Sequence, residues 1–160
     1  MIESELSFLI KELPELSRLE HKNIEQHYLS DGPEPLRTRR IGGRFELTKK
    51  LDITPGDLSR KEELNIPLTE EEFMDVCRLS RRSLTKTRYY LPLPGGLTAE
   101  VDVFRGPLEG LAMVEVEFAD EAARNAFVPP AWFGRDVTQE NWSANSFLAG
   151  RSIDDIRKFI

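Results

Sequence analysis

Apolar and polar residues alternate along most of this chain in short runs of period two. This is the pattern of β-strands whose side chains point to opposite faces in turn. Eight segments carry it: Ile2–Ile10, Asn23–Ser30, Leu36–Ile41, Arg44–Lys50, Ser59–Ile66, Ser83–Tyr90, Thr98–Arg105 and Leu111–Phe118. Turn residues separate most of them, at Asp31-Gly32-Pro33, Gly42-Gly43, Pro55-Gly56-Asp57 and Pro94-Gly95-Gly96. Links this tight join neighbouring strands as antiparallel hairpins. Helical spacing appears in four places. Thr69-Glu70-Glu71-Glu72 has the form of a capping box, and Phe73, Val76 and Cys77 then recur on one face. Asp120 is placed to cap Glu121–Phe127, Thr138 to cap a turn or two through Leu148, and Ser152 to open a short C-terminal helix. The expected class is α+β, mostly antiparallel strands with helices flanking them.

The charged positions of the strands are not scattered. They fall in pairs at i, i+2, so each pair shares one face: Glu3/Glu5, Arg37/Arg39, Lys86/Arg88, Glu100/Asp102 and Glu115/Glu117. In the last two strands the opposite face is apolar, with Val101, Val103, Val114, Val116 and Phe118. Two arrangements fit. In one, the charged face is the solvated outside of a sheet that packs its apolar face on a core, the usual state of charged residues. In the other, the sheet closes into a barrel with the charges lining its lumen. Three acidic and two basic pairs favour the second, because a solvated face would mix in more Ser, Thr, Asn and Gln.

Composition narrows the setting. The 160 residues suit a single domain over 1–160, and the 39% hydrophobic and 31% charged fractions suit a globular chain. The net charge of −6 argues against nucleic acid or an anionic membrane as partner, though not against a small anion held by a local basic cluster. Cys77 is the only cysteine, which excludes an internal disulfide and a cysteine zinc site. The N-terminal stretch has acids and no basic region before its apolar residues, so the expectation is a cytoplasmic protein without a signal peptide. Pairs of both signs suit a polyphosphate whose charge is shared between Arg or Lys and a bridging cation. Hard divalent cations take oxygen ligands, and Glu-x-Glu on a strand presents two carboxylates to one face. Arginine forks bind phosphate oxygens bidentately.

The order of these motifs resembles the CYTH domain, the triphosphate tunnel metalloenzymes. The matching residues are Glu3/Glu5, Leu36-Arg37-Thr38-Arg39, Leu47-Thr48-Lys49, Lys86-Thr87-Arg88-Tyr89, Glu100-Val101-Asp102-Val103-Phe104 and Val114–Phe118, followed by Pro129–Gly134, Asp136-Val137-Thr138, Asn145 and Leu148-Ala149. The likeness runs from about residue 2 to 150. It implies a closed eight-stranded antiparallel tunnel. Family members hydrolyse tripolyphosphate, thiamine triphosphate or nucleoside triphosphates, or cyclise ATP, and they use Mg²⁺ or Mn²⁺. By that resemblance Glu3, Glu5, Glu115 and Glu117 hold metal, with Glu3, Glu5 and Tyr28 at the catalytic centre. Arg37, Arg39, Lys49, Lys86 and Arg88 hold the phosphates, while Glu62, Glu100 and Asp102 are tunnel acids that orient basic residues or touch a second metal. Water then attacks the terminal phosphorus in line. Relatives often form homodimers.

The sequence departs from the family at three points. The family signature Glu-x-Glu-x-Lys has Ser7 at the lysine position. The strand holding Glu62 has Leu64 where a second acid is common. Trp142–Ser146 carries no charge where relatives often place Tyr and Lys. One lost phosphate contact costs roughly 10² to 10³ in rate. A second reading therefore stands beside the enzyme: a non-catalytic polyphosphate- or nucleotide-binding module that has lost turnover. Lys11, Lys22 or Lys50 are the lysines available to compensate.

Overall fold

The computed structural model describes residues 1–32 and 34–160, so Pro33 of the expected Asp31-Gly32-Pro33 turn lies outside the described residues. Nine strands form one antiparallel sheet: β1 (Ile2–Ile10), β2 (Glu20–Tyr28), β3 (Leu36–Ile41), β4 (Arg44–Asp52), β5 (Arg60–Leu68), β6 (Arg82–Pro92), β7 (Thr98–Phe104), β8 (Ala112–Glu117) and β9 (Phe133–Asp136). Their order is β5-β4-β3-β2-β6-β7-β8-β1-β9, and β1 also pairs with β5. That last pairing closes eight strands into a barrel. β1 can close it because its two ends serve different partners. Ile2, Glu3 and Ser4 lie against Glu62, Lys61 and Arg60, while Glu5 to Leu9 lie against β8 from Glu117 to Met113.

The eight expected strands are all present, with ends shifted by a few residues. β9 was not anticipated. It is short and docks on β1 at Phe8 and Ile10. Gly134 permits this approach, since a β-carbon there would meet the Leu9 carbonyl oxygen at 3.0 Å. The β3–β4 hairpin turns at Gly42, whose φ of 57° is the left-handed corner that glycine takes without steric penalty.

The apolar outer faces of β1, β7 and β8 make one core. Val101, Val114 and Val116 are fully buried there with Phe8, Phe118 and Phe133, under Phe127 and Trp132. The helix α2 (Glu121–Ala126), capped by the Asp120 side chain on the Ala123 N–H, leads into this layer. On the other side of the barrel, α1 (Glu70–Cys77) begins in the expected capping box, with Thr69 and Glu72 bonding each other's backbone N–H. Its Phe73 is fully buried against Phe45, ring centroids 5.2 Å apart. Arg40 lies over both rings.

A second core closes one end of the barrel. Lumen-facing Leu84, Phe104 and Met113 pack with Tyr28, Val137, Trp142, Leu148, Ala149 and Ile156. Two short helices bring in the C-terminal residues: α3 (Asn145–Leu148) and α4 (Ile153–Ile156). Thr138 does not cap a helix as expected. Its hydroxyl donates to Asp136 and accepts the Ser7 N–H at 3.0 Å, fastening this segment to β1. Among the described residues, no helix is long and apolar enough to cross a membrane.

Candidate functional site

The paired charges do face inward. All of them except Lys86 and Asp102 line a cavity of about 210 Å³ inside the barrel, in which Glu3, Glu5, Glu100, Glu115 and Glu117 face Arg37, Arg39 and Arg88. The strand register explains the crowding of acids. Glu5 sits directly across from Glu117, and Glu100 from Glu115. Like charges placed opposite each other on a sheet are destabilising, so such a face is retained against stability.

Three acids converge. Glu3, Glu5 and Glu117 each offer a carboxylate oxygen, all within 4.8 Å of one another. Burial, reinforced by the Glu115 charge and opposed by Lys50, pushes the Glu5 carboxyl up to about 8. Burial and the neighbouring Glu3 also raise Glu117. The set fits a hard divalent cation: it is all oxygen and converging, with three carboxylates against the one nearby ammonium of Lys50. Glu115 stands beside this group, but its Oε2 accepts from Arg88 Nη2 at 2.7 Å.

Below the cavity lies a satisfied ion network. Arg88 donates twice to Asp102, at 2.7 and 2.8 Å, and also pairs with Glu100. Lys86 donates to Asp102 at 2.6 Å and to the Asn145 side chain at 3.3 Å. Burial would raise the Asp102 carboxyl, but Arg88 and Lys86 outweigh it and hold Asp102 at about 2. Glu100, with burial as the larger effect over Arg88, rises to about 7. Lys86 and Asp102 are both buried within this network and do not line the cavity. Asp102 holds Arg88 from beneath, and Lys86 is itself held by Asp102 and Asn145.

Two expected residues lie on the other face of the wall. Lys49 donates to the Glu34 carbonyl oxygen outside the lumen, and Glu62 is exposed. Their neighbours Lys50 and Glu63 face inward instead. A slip of one residue inverts every side chain of a strand. The signal was present: Lys49 shares parity with Leu47 and Leu51, and Glu62 with Leu64 and Ile66, matching the apolar outer faces of β7 and β8.

Arg44, Gln26, Tyr90 and Asn145 also line the cavity and were not anticipated. Tyr28 is buried in the end core and donates to Gln26 Oε1 at 3.0 Å, so it meets the lumen through Gln26. Ser7 follows Glu3 and Glu5 in parity but is not among the lining residues. His21 lies against Tyr89, and His27 pairs with Glu25 on the outer wall near Phe73.

The basic wall is unevenly satisfied. Arg39 Nε donates to Glu46 at 2.8 Å. Arg37 is 5% exposed, forms no ion pair among the described residues, and its Nε has no hydrogen-bond partner there. A buried guanidinium nitrogen without an acceptor is costly, and an anion in the lumen would supply one. A separate cavity of about 390 Å³ outside the barrel, lined by Leu6, Asp57, Arg124 and Asp136 among others, shows no such convergence among the described residues.

Fold and site together define a closed β-tunnel that gathers carboxylates and guanidiniums in one lumen. No family model matches the sequence. The chain is 40% identical over 152 residues to an inorganic triphosphatase of Nitrosomonas europaea, covering 93% of this chain and 97% of that protein. It is 35% identical over 119 residues to an inorganic triphosphatase of Acetivibrio thermocellus, covering 74% and 73%. A crystal structure of an inorganic triphosphatase superposes with a TM-score of 0.67 at 34% identity, over 92% of this chain and 93% of that one. A structure from Pyrococcus horikoshii shares the fold at 18% identity with a TM-score of 0.59, over 77% and 82%. The chain belongs to the CYTH family of triphosphate tunnel metalloenzymes.

Proposed function

We propose that this chain hydrolyses a triphosphate within its lumen, inorganic tripolyphosphate or a small organic triphosphate, with Mg²⁺ or Mn²⁺ held by Glu3, Glu5 and Glu117. One observation carries the reading. A single cavity holds three converging carboxylates and, among its basic residues, a buried Arg37 whose Nε lacks an acceptor. The 40% identity to an inorganic triphosphatase over nearly both whole chains supports it.

Glu3, Glu5 and Glu117 would hold the divalent cation, which would supply positive charge to the phosphate oxygens. The protein's own contribution is positional. Arg37, Arg39 and Arg44 present guanidinium donors to non-bridging oxygens. Arg88, clamped by Asp102, Glu100 and Glu115, is held in one place and needs no reorganisation when a ligand enters. Glu100, at about 7, is the lumen carboxyl whose proton affinity best matches transfer from attacking water near neutral pH.

The test is phosphate release from tripolyphosphate, ATP, GTP and thiamine triphosphate, each with Mg²⁺ or Mn²⁺. Metal-dependent release from one of them is expected and defines the substrate class. No release from any, together with thermal stabilisation by tripolyphosphate, replaces hydrolysis with binding alone, the outcome that Ser7 favours.

A further inference from the structure

Lys50 has a cross-strand partner in Glu63, directly opposite it on β5. Its ammonium nonetheless lies closer to another acid. Lys50 Nζ is 2.7 Å from Glu3 Oε2 and 3.4 Å from Glu63 Oε2. Glu3 is on β1, and β5 separates β1 from β4. The lysine therefore reaches across a whole strand to a member of the acid triad.

We propose that Lys50 is an exchangeable counter-ion. Its ammonium neutralises Glu3 until a divalent cation takes Glu3, Glu5 and Glu117, and the freed lysine then turns to the anion held by Arg37 and Arg39. This rests on the metal site proposed above. The geometry supports it in two ways. An ammonium 2.7 Å from Glu3 Oε2 pairs with a carboxylate that also belongs to the acid triad, so the two cations draw on the same side chain. Lysine is also suited to leave, because it is a compact charge on a flexible stem, whereas an arginine fork would hold the carboxylate in two places. Lys50 lines the same cavity as Arg37 and Arg39, which puts the anion within its swing. Metal and anion then assist each other's binding, by the same factor in both directions.

Calorimetric binding of Mn²⁺ alone and of tripolyphosphate alone to wild type, Lys50→Met and Arg37→Met tests this. Lys50→Met should bind Mn²⁺ at least about tenfold more tightly, with little change in tripolyphosphate measured without metal, because the lysine stays on Glu3 there. Arg37→Met removes the same charge without releasing Glu3, so it should weaken tripolyphosphate but tighten Mn²⁺ far less. Equal tightening in both variants would show a through-space charge effect and overturn the exchange. So would unchanged or weaker Mn²⁺ binding in Lys50→Met. Lysine-selective ¹⁵N NMR of the wild-type protein is independent of whether that variant folds. The Lys50 Nζ resonance should move on saturation with Mg²⁺, and a resonance that stays fixed refutes displacement. Failure of wild type to bind either cation removes the metal site itself, a separate result from a site that binds without moving Lys50.

Discussion

Three neighbouring strands show the two ends of one lumen side by side. On β6, β7 and β8 the inward positions pass from Leu84, Phe104 and Met113 at one end to Lys86, Asp102 and Glu115 two residues along. Parity and backbone are the same; only the means of satisfaction differ. The apolar end is filled by Val137, Trp142 and Leu148 from the C-terminal segment, where the Trp142 Nε1 is buried without an acceptor among the described residues but no charge gathers. The charged end is balanced by ion pairs. Beyond these, valence remains: converging carboxylates on one wall and the partnerless Arg37 Nε on another. The chemistry sits where electrostatic balance inside the protein is incomplete.

The contrast breaks most sharply at Glu117. Glu117→Gln should lower metal-dependent phosphate release by about 10³ or more while leaving the melting temperature unchanged or higher, since it removes a strained charge. Turnover equal to wild type would end its ligand role. Within the satisfied layer, Asp102→Ala strands Lys86 and Arg88 without their shared acid, and urea unfolding should show a loss of about 3–5 kcal/mol. At the apolar end, Leu148→Ala should cost about 2–5 kcal/mol, with little change in KM at a temperature where it stays folded. A large KM effect would mean that the plug also shapes the site.

Acidity sharpens the same comparison, because the two layers respond with opposite sign. Glu5 titrates near 8 in the folded chain against an ordinary 4.5, so the folded state binds the extra proton between those values. Its contribution to stability is present below about 4.5 and lost as pH rises towards 8. Asp102, held at about 2 against 3.8, contributes above 3.8 and loses that contribution as pH falls through 2. Urea midpoints in chelator should therefore fall from pH 5 to pH 8, and Mn²⁺ should restore them most at pH 8. A flat profile in chelator would contradict the crowding of the acid triad. The smallest effect is expected from Ser7→Lys, about a tenfold gain in turnover if one charge-assisted phosphate contact is missing. No gain would indicate that Lys50 and Arg44 already meet that need.

Much of this was legible in the sequence. Pairs of like charge at i, i+2 opposite valines identified both the lumen face and the outer core of β7 and β8, because burial on each face is selected separately. Lys49 and Glu62 were misplaced because the motif resemblance was followed where the alternation with Leu47, Leu51, Leu64 and Ile66 pointed to the other face. β9 carries four residues and no alternation, so its docking on β1 depends on the close approach at Gly134, which no local pattern encodes. The reach of Lys50 to Glu3 and of Asn145 to Lys86 depends on barrel closure and on the C-terminal plug. These are long-range contacts that periodicity cannot express.

The most direct test of the account is anomalous diffraction from crystals grown with Mn²⁺ and tripolyphosphate, using Glu100→Gln to slow turnover. The account predicts a manganese peak about 2.2 Å from oxygens of Glu3, Glu5 and Glu117, with phosphate density against Arg37 and Arg39. Manganese in the outer cavity at Asp57 and Asp136, or phosphate bound away from Arg37, would contradict it.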